Sequence, residues 1–182
     1  MMRPMIFAAV LAATSLPAAT AFSQGNPPQP GAEAKGAALA KEDREFINKA
    51  GLAGLYEVRV GQLAAQRAQS SDVKQLAQKI VDEHTAVNVR LQKLAQQKGL
   101  SLPSQLDKKH QDKIDSLSKK TGVDFDKAFV DEMIDDHKSH IDDFDKAAKE
   151  SKEPDMKEFA AATLPTLREH LQTAQALKDK LK

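Results

Sequence analysis

Residues 71–98 read SDVKQLAQKIVDEHTAVNVRLQKLAQQK, and this stretch decides the fold. Val73, Ala77, Ile80, His84, Val87, Leu91 and Leu94 recur every three or four residues. That spacing keeps side chains on one face of an α-helix. Every member of the seam is apolar except His84, which stands at its middle. Asp72 followed by Gln75 fits a capping box at the start, and Gly99 suits the C′ position that ends a helix.

Helical periodicity continues on both sides. A first long helix is expected from about Glu42 to Gln69, ended by Ser70-Ser71-Asp72. The second runs on to about Lys98. A shorter helix over 105–120, opened by Pro103-Ser104, carries Leu106, His110, Ile114 and Leu117 on one side. A third long helix is expected from about Val123 to Glu150, after punctuation by Gly122 and Asp124. Pro154 suits the N1 position of a fourth, which runs close to the C-terminus. No hairpin signal and no internal repeat interrupts the pattern. Each long helix would be about 40 Å long at a rise of about 1.5 Å per residue. The tight connections make the first and second helices, and the third and fourth, antiparallel pairs. A hairpin, a long crossover with its own helix and a second hairpin give the order of a ferritin-like four-helix bundle. The fold class is therefore all-α.

Composition agrees. The chain has 182 residues, 41% hydrophobic and 29% charged, with aromatics at only 4% and no tryptophan. That suits a soluble helical domain. Lys+Arg 27 against Asp+Glu 26 leaves a net charge of +1, without the basic excess of a nucleic-acid binder. The absence of cysteine removes disulfide scaffolds, thiolate metal sites, cysteine nucleophiles and N-terminal lipoprotein anchoring.

The N-terminus reads as an export signal. Arg3 supplies a positive start, and Ile6 to Leu16 is an apolar run too short to span a bilayer. Ala19-Thr20-Ala21 is a small-residue cleavage site, which predicts a mature chain beginning at Phe22 with no net charge; an uncleaved amphipathic anchor is the alternative. Residues 22–40, with Gln24-Gly25-Asn26-Pro27-Pro28-Gln29-Pro30-Gly31, read as a flexible linker. The bundle is then 41–182. No later stretch is apolar enough to cross a membrane, and export without cysteine fits a bacterial periplasm or outer envelope.

The seams carry polar residues at one level. The third long helix reads Phe129, Met133, His137, His140, Phe144; the fourth reads Phe159, Thr163, Thr166, His170, Thr173, Leu177. The first has Ala50, Gly54, Glu57, Gly61 and Ala64 on one stripe, and its small residues leave room for facing side chains. Glu57 stands thirteen residues before Ser70, and His84 thirteen after Ser71, so an antiparallel pair sets them at equal height. Counting from the turn before Pro154 sets His137 and His170 within about 3 Å of level. Glu57, His84, His137 and His170 are thus expected at mid-bundle, one from each long helix. His140, one turn from His137, is a possible fifth.

Imidazole and carboxylate together suit iron, zinc, copper or manganese. The alternative is a buried polar layer in which Glu57 accepts hydrogen bonds from the imidazoles. Asp135-Asp136-His137-Lys138-Ser139-His140-Ile141-Asp142-Asp143 reads as a mainly solvated face. Pro165 frees the carbonyl of Ala161 inside the fourth helix, and either aims His170 inward or bends the helix around the core.

From about Lys41 onward the chain resembles the bacterial family of domain of unknown function 4142. Leu55-Tyr56-Glu57, Asp82-Glu83-His84-Thr85, Phe125-Asp126-Lys127-Ala128-Phe129, Asp136-His137, and Leu164-Pro165 with His170 carry the resemblance. It implies an exported, ferritin-like four-helix bundle of a predicted outer-membrane group, and no established activity. The wider di-iron pattern needs Glu-x-x-His on two helices, but Val81 precedes His84 by three residues and Leu167 precedes His170 by three. Three readings follow: a metal-binding envelope bundle using Glu57, His84, His137 and His170; a non-catalytic structural bundle with an envelope protein partner; and, with least support, a di-iron redox enzyme. Oligomeric state is left open.

Overall fold

A computed structural model describes residues 39–181. Among them the chain is all-helical: α1 Lys41–Arg67, α2 Ser71–Gln97, α3 Lys108–Ser118, α4 Gly122–Glu150 and α5 Pro154–Lys180. The signal segment 1–21 and linker residues 22–38 lie outside the described residues. Leu39, at the expected linker's end, packs against the core and accepts a hydrogen bond from Arg44 Nε at 3.1 Å.

The helix ends follow local chemistry. The capping box expected at Asp72 does not form, because Ser70 is the N-cap and its side chain accepts from Val73 N. A serine two residues earlier offers the same acceptor and lets α2 begin at once. Gly99 ends α2 as expected, with φ 70. Leu100 N donates to Ala95 O and Gly99 N to Gln96 O, the paired bonds of a Schellman motif. The crossover helix is shorter than the expected 105–120. It starts after Asp107, whose carboxylate accepts from His110 N at 2.9 Å, so an Asx cap and not Pro103-Ser104 sets its beginning.

Ion pairs report the directions of the long helices. Asp72 at the start of α2 meets Lys180 at the end of α5, while Lys98 just past α2 meets Glu153 and Asp155 at the start of α5. Lys49 near the start of α1 meets Asp143 near the end of α4. At the other end, Asp126 of α4 accepts from Gln69 N at 2.9 Å and Ser70 N at 2.7 Å, in the turn after α1. So α2 and α5 are antiparallel, as are α1 and α4. α1 also packs along α2, and α4 along α5. α2 and α4 consequently run the same way, which is why the link between them must return along the molecule. α3 lies in that link against α4 and α1, with Leu117 buried and Leu106 and Ile114 half-buried on the core.

Two apolar clusters fill the interior. One, nearer the α1–α2 turn, includes Val60, Ile80, Phe125, Phe129 and Met133. The other, at the opposite end, includes Ile47, Leu91, Phe144, Met156 and Phe159. Glu57, His84, His137, Thr163 and His170 are buried polar residues belonging to neither cluster. The small-residue stripe of α1 is buried throughout, and Gly61 shows its reason: a Cβ there would stand 2.9 Å from Val81 Cγ2 and 3.2 Å from the Ala77 carbonyl oxygen. On α5 the expected seam is one residue out at two positions. Leu167 and Ala174 are buried where Thr166 and Thr173 were expected, and Ala160, Thr163, Leu167, His170, Ala174 and Leu177 keep a strict alternation of three and four residues. Pro165 and Ala161 are both exposed, so the freed carbonyl faces outward, away from His170.

Asp126 is 1% exposed and holds two backbone N–H groups that the turn leaves unpaired within α1 and α2. Removing it in Asp126→Ala strands both donors and should cost about 3 kcal/mol. The check is urea denaturation, in which the midpoint falls while the slope holds. A midpoint like the wild type's would show that the turn is held otherwise.

Candidate metal centre

Four helices deliver their polar residues to one level, as counting from the turns predicts. α1 brings Glu57, α2 His84, α4 His137 and His140, and α5 His170. Glu57 Oε2 lies 2.8 Å from His84 Nδ1. Its other oxygen lies 3.1 Å from His140 Nδ1 and 3.4 Å from His137 Nδ1. His137 Nδ1 also stands 2.9 Å from the Met133 carbonyl oxygen, and His137 Nε2 lies 3.1 Å from His170 Nδ1. His170 Nε2 is 2.8 Å from Glu83 Oε2. His84, His137 and His170 each offer a ring nitrogen within 4.8 Å of those of the other two.

These partners fix where the protons sit. A carbonyl only accepts, so His137 carries its proton on Nδ1 and donates to Met133. Burial pushes the His137 pKa down to about 4, against the pull of Glu57, and His84 and His170 add to the lowering. The ring is therefore neutral near pH 7 and its Nε2 is a lone pair. Burial also pushes up the Glu83 carboxyl, but Lys79 and His170 more than offset this and hold it below the ordinary carboxylate range. Glu83 is thus ionised and takes the proton of His170 Nε2. Burial and then His84 lower the His170 pKa, against Glu83, so this ring is neutral too and its Nδ1 is a lone pair. Burial opposes the charge on Glu57, yet His84, His140 and His137 hold its pKa well below the ordinary value. It accordingly accepts from His84 Nδ1, which makes His84 Nε2 the remaining lone pair when that ring is neutral. That atom is buried and has no hydrogen-bond partner.

His137 and His170 thus turn a proton-bearing edge outward to an acceptor and a bare nitrogen toward each other, while His84 holds Glu57 by Nδ1 and keeps a buried Nε2 without a partner. With the tautomers that Met133 and Glu83 select, His137 Nε2 and His170 Nδ1 face each other at 3.1 Å as two acceptors. Two lone pairs at that distance repel, and a cation between them reverses the sign. Glu57 touches the rings on their Nδ1 edges, where its oxygens are engaged by His84, His140 and His137. His140 is raised in pKa: burial lowers it, but the charge and hydrogen bond of Glu57 prevail.

Sequence reasoning missed Glu83. A search for Glu-x-x-His passes over it, yet Glu83-His84 and Glu169-His170 are matching dipeptides on α2 and α5. Lys79 bridges them, 2.6 Å from Glu83 and 3.2 Å from Glu169. The Asp136 of the acidic run lies 2.8 Å from Lys113 of α3. Lys113 sits over the ring of buried Tyr56, whose hydroxyl donates to Glu132. His110 packs against the same ring at a tilt of 52°, so its place is at the α3 contact.

Comparison with known proteins bears on the family and the fold. The sequence model of the family described as "Domain of unknown function (DUF4142)" matches residues 28–177. The chain belongs to the DUF4142 family. Among curated proteins none matches this DUF4142 chain. Among solved structures, it is similar to a DUF305 fragment from Deinococcus radiodurans, with a TM-score of 0.70 and 13% identity over 78% of this chain and 98% of that one. It is also similar to CopM in the Ag-bound form, with a TM-score of 0.63 and 16% identity over 75% and 94% of the two chains. For CopM in the Cu(I)-bound form the TM-score is 0.63 at 17% identity, over 75% and 94%. These likenesses establish a shared helical fold. No described helix of the DUF4142 chain is long and apolar enough to cross a membrane.

Proposed function

We propose that this DUF4142 protein is an exported, ferritin-like four-helix bundle that binds one copper ion through His84, His137 and His170. The carrying observation is the meeting of ring nitrogens of His84, His137 and His170, all buried, within 4.8 Å of one another. Glu57 and Glu83 act from outside the donor set, as carboxylates that fix ring orientation and raise donor basicity. Copper or zinc suits three imidazoles better than manganese, which favours oxygen donors, and copper stands above zinc in intrinsic affinity for nitrogen sites. The Cu- and Ag-bound forms of CopM, which shares the fold, support copper. The reading is a binding protein and not a di-iron oxidase, because both nearby carboxylates are engaged by N–H donors.

Arg3, the Ile6–Leu16 run and Ala19-Thr20-Ala21 support the export reading, with the mature chain in the periplasm or on the outer membrane. Native mass spectrometry of protein recovered from the cell envelope tests both parts together. The expected mass starts at Phe22 and carries one copper ion per chain. A chain retaining Met1 in the cytoplasmic fraction overturns the export reading. A chain that neither carries nor takes up a metal ion makes the histidines a hydrogen-bonded polar layer.

A further inference from the structure

The three proposed ligands are 4%, 0% and 1% exposed, and Glu57 is 1% exposed. An ion needs a way in. His140 differs from the others: its side chain is 16% exposed, and it lies outside the group of converging nitrogens. Its Nδ1 is held by Glu57 Oε1, which leaves Nε2 as the ring's second nitrogen. A narrow crevice of about 10 Å³, room for no more than one water, is lined by His140, Glu57 and His84 together with Asn88 of α2 and the small residues Gly54 and Ala50 of α1. Asn88 Oδ1 is buried without a hydrogen-bond partner. Orphaned amide oxygens are uncommon in folded proteins and cost free energy. Gly54 makes the arrangement fit, since a Cβ there would stand 1.9 Å from that oxygen. Glycine in mid-helix is itself destabilising by about 1 kcal/mol against alanine, so the helix carries a cost where the crevice needs room.

We infer that this crevice is the loading route of the buried centre, with Asn88 Oδ1 and His140 Nε2 (which gives up its ring proton to water as the ion arrives) as transient ligands that receive a partly dehydrated metal ion and pass it to His84. The inference rests on the metal reading above. The crevice brings together a solvent-touching imidazole, an unpartnered amide oxygen and a proposed resident ligand. Glu57 lines the same crevice and adds a negative charge that draws a cation inward. Each exchange replaces one oxygen or nitrogen donor by another, so no bare ion crosses the apolar wall. His140 is then a transfer ligand, whereas its neighbour one turn away, His137, is a resident one.

A route and a resident ligand differ kinetically. Changing a route alters entry and exit by the same factor, whereas losing a resident ligand mainly speeds exit. Copper(II) mixed rapidly with metal-free full chain is followed by quenching of Tyr56, the single tyrosine, in a chain without tryptophan. Asn88→Leu keeps the side chain's size, removes an unpaired oxygen and should fold well. It is expected to slow association and dissociation together, each by about tenfold. His140→Gln is expected to slow association at least as much. Association at the wild-type rate in both variants overturns the loading route while leaving the resident site standing. Faster release with unchanged association in His140→Gln makes His140 a resident ligand and also overturns it. A wild type that shows no binding at equilibrium removes the site and the route together.

Discussion

Copper added to the metal-free chain should raise its melting temperature by on the order of 10 °C, and His84→Ala should abolish the rise. An ion that binds only the native state stabilises it by mass action, by about 4 kcal/mol at a thousandfold excess over Kd. For a domain of this size each kcal/mol moves the midpoint by roughly 2–4 °C. His84 is the decisive position because its Nε2 is buried and has no protein partner. Removing it leaves two donors, His137 Nε2 and His170 Nδ1, too few to hold a buried ion. The variant also leaves Glu57 without its 2.8 Å donor, so the metal-free protein should itself melt somewhat lower. Its helical content should persist, since the two apolar clusters are intact. His110→Ala is the control: His110 sits against Tyr56 on α3, and its loss should leave the rise in place. An equal rise in wild type and His84→Ala refutes the three-histidine centre.

Much of this was legible in the sequence, and the reasons differ by feature. The helices were readable because their apolar positions repeat with a helical period over seven turns, a signal too long to arise by accident. The height of the centre was readable because both hairpins have short turns. Equal counts from such a turn mean equal height, and with both residues on inward-facing seams this brings Glu57 and His84 into their 2.8 Å contact. Asp126 and Glu83 were not readable. Asp126 caps a turn more than fifty residues away in sequence, a partnership that only the packing of α4 on α1 creates. Glu83 is half-buried between α2 and α5, and its reach to His170 depends on side-chain direction as well as spacing. The split between inward nitrogens and outward protons was hidden for the same reason: sequence names an imidazole but not which of its edges meets a carbonyl. On α5 the seam was read one residue out at Thr166 and Thr173, because spacings of three and of four both keep a side chain on one helix face and only the packing selects between them.

The metal-free protein should lose stability as the pH falls from about 6.5 to about 4, by about 3 kcal/mol from His137 alone. The folded-state pKa of His137 is about 4, against an ordinary value of 6.5. Between those values the unfolded chain binds a proton that the native chain does not, so acid favours unfolding. The contribution is fully present above pH 6.5 and gone once the pH has passed below about 4. His170, also lowered, adds in the same direction. Glu57, held well below its ordinary value, adds a loss that begins as the pH falls below about 4.5. His140 works the other way: its pKa is raised, so its contribution is present below 6.5 and fades as the pH rises through the folded value. Stability should therefore peak near neutrality and fall away more steeply on the acid side. Denaturation of the chelator-treated chain at a series of pH values measures the curve. Imidazole NMR signals assign it, with His137 unmoved between pH 8 and about 5 while His140 titrates above 6.5. If His137 takes up its proton near pH 6.5, its burial is not holding the ring neutral. Its Nε2 is then no longer a standing lone pair, and the proton-free meeting with His170 on which the metal centre rests is lost. With copper bound the same acid limb should sharpen, because protons then compete with the ion for all three imidazoles.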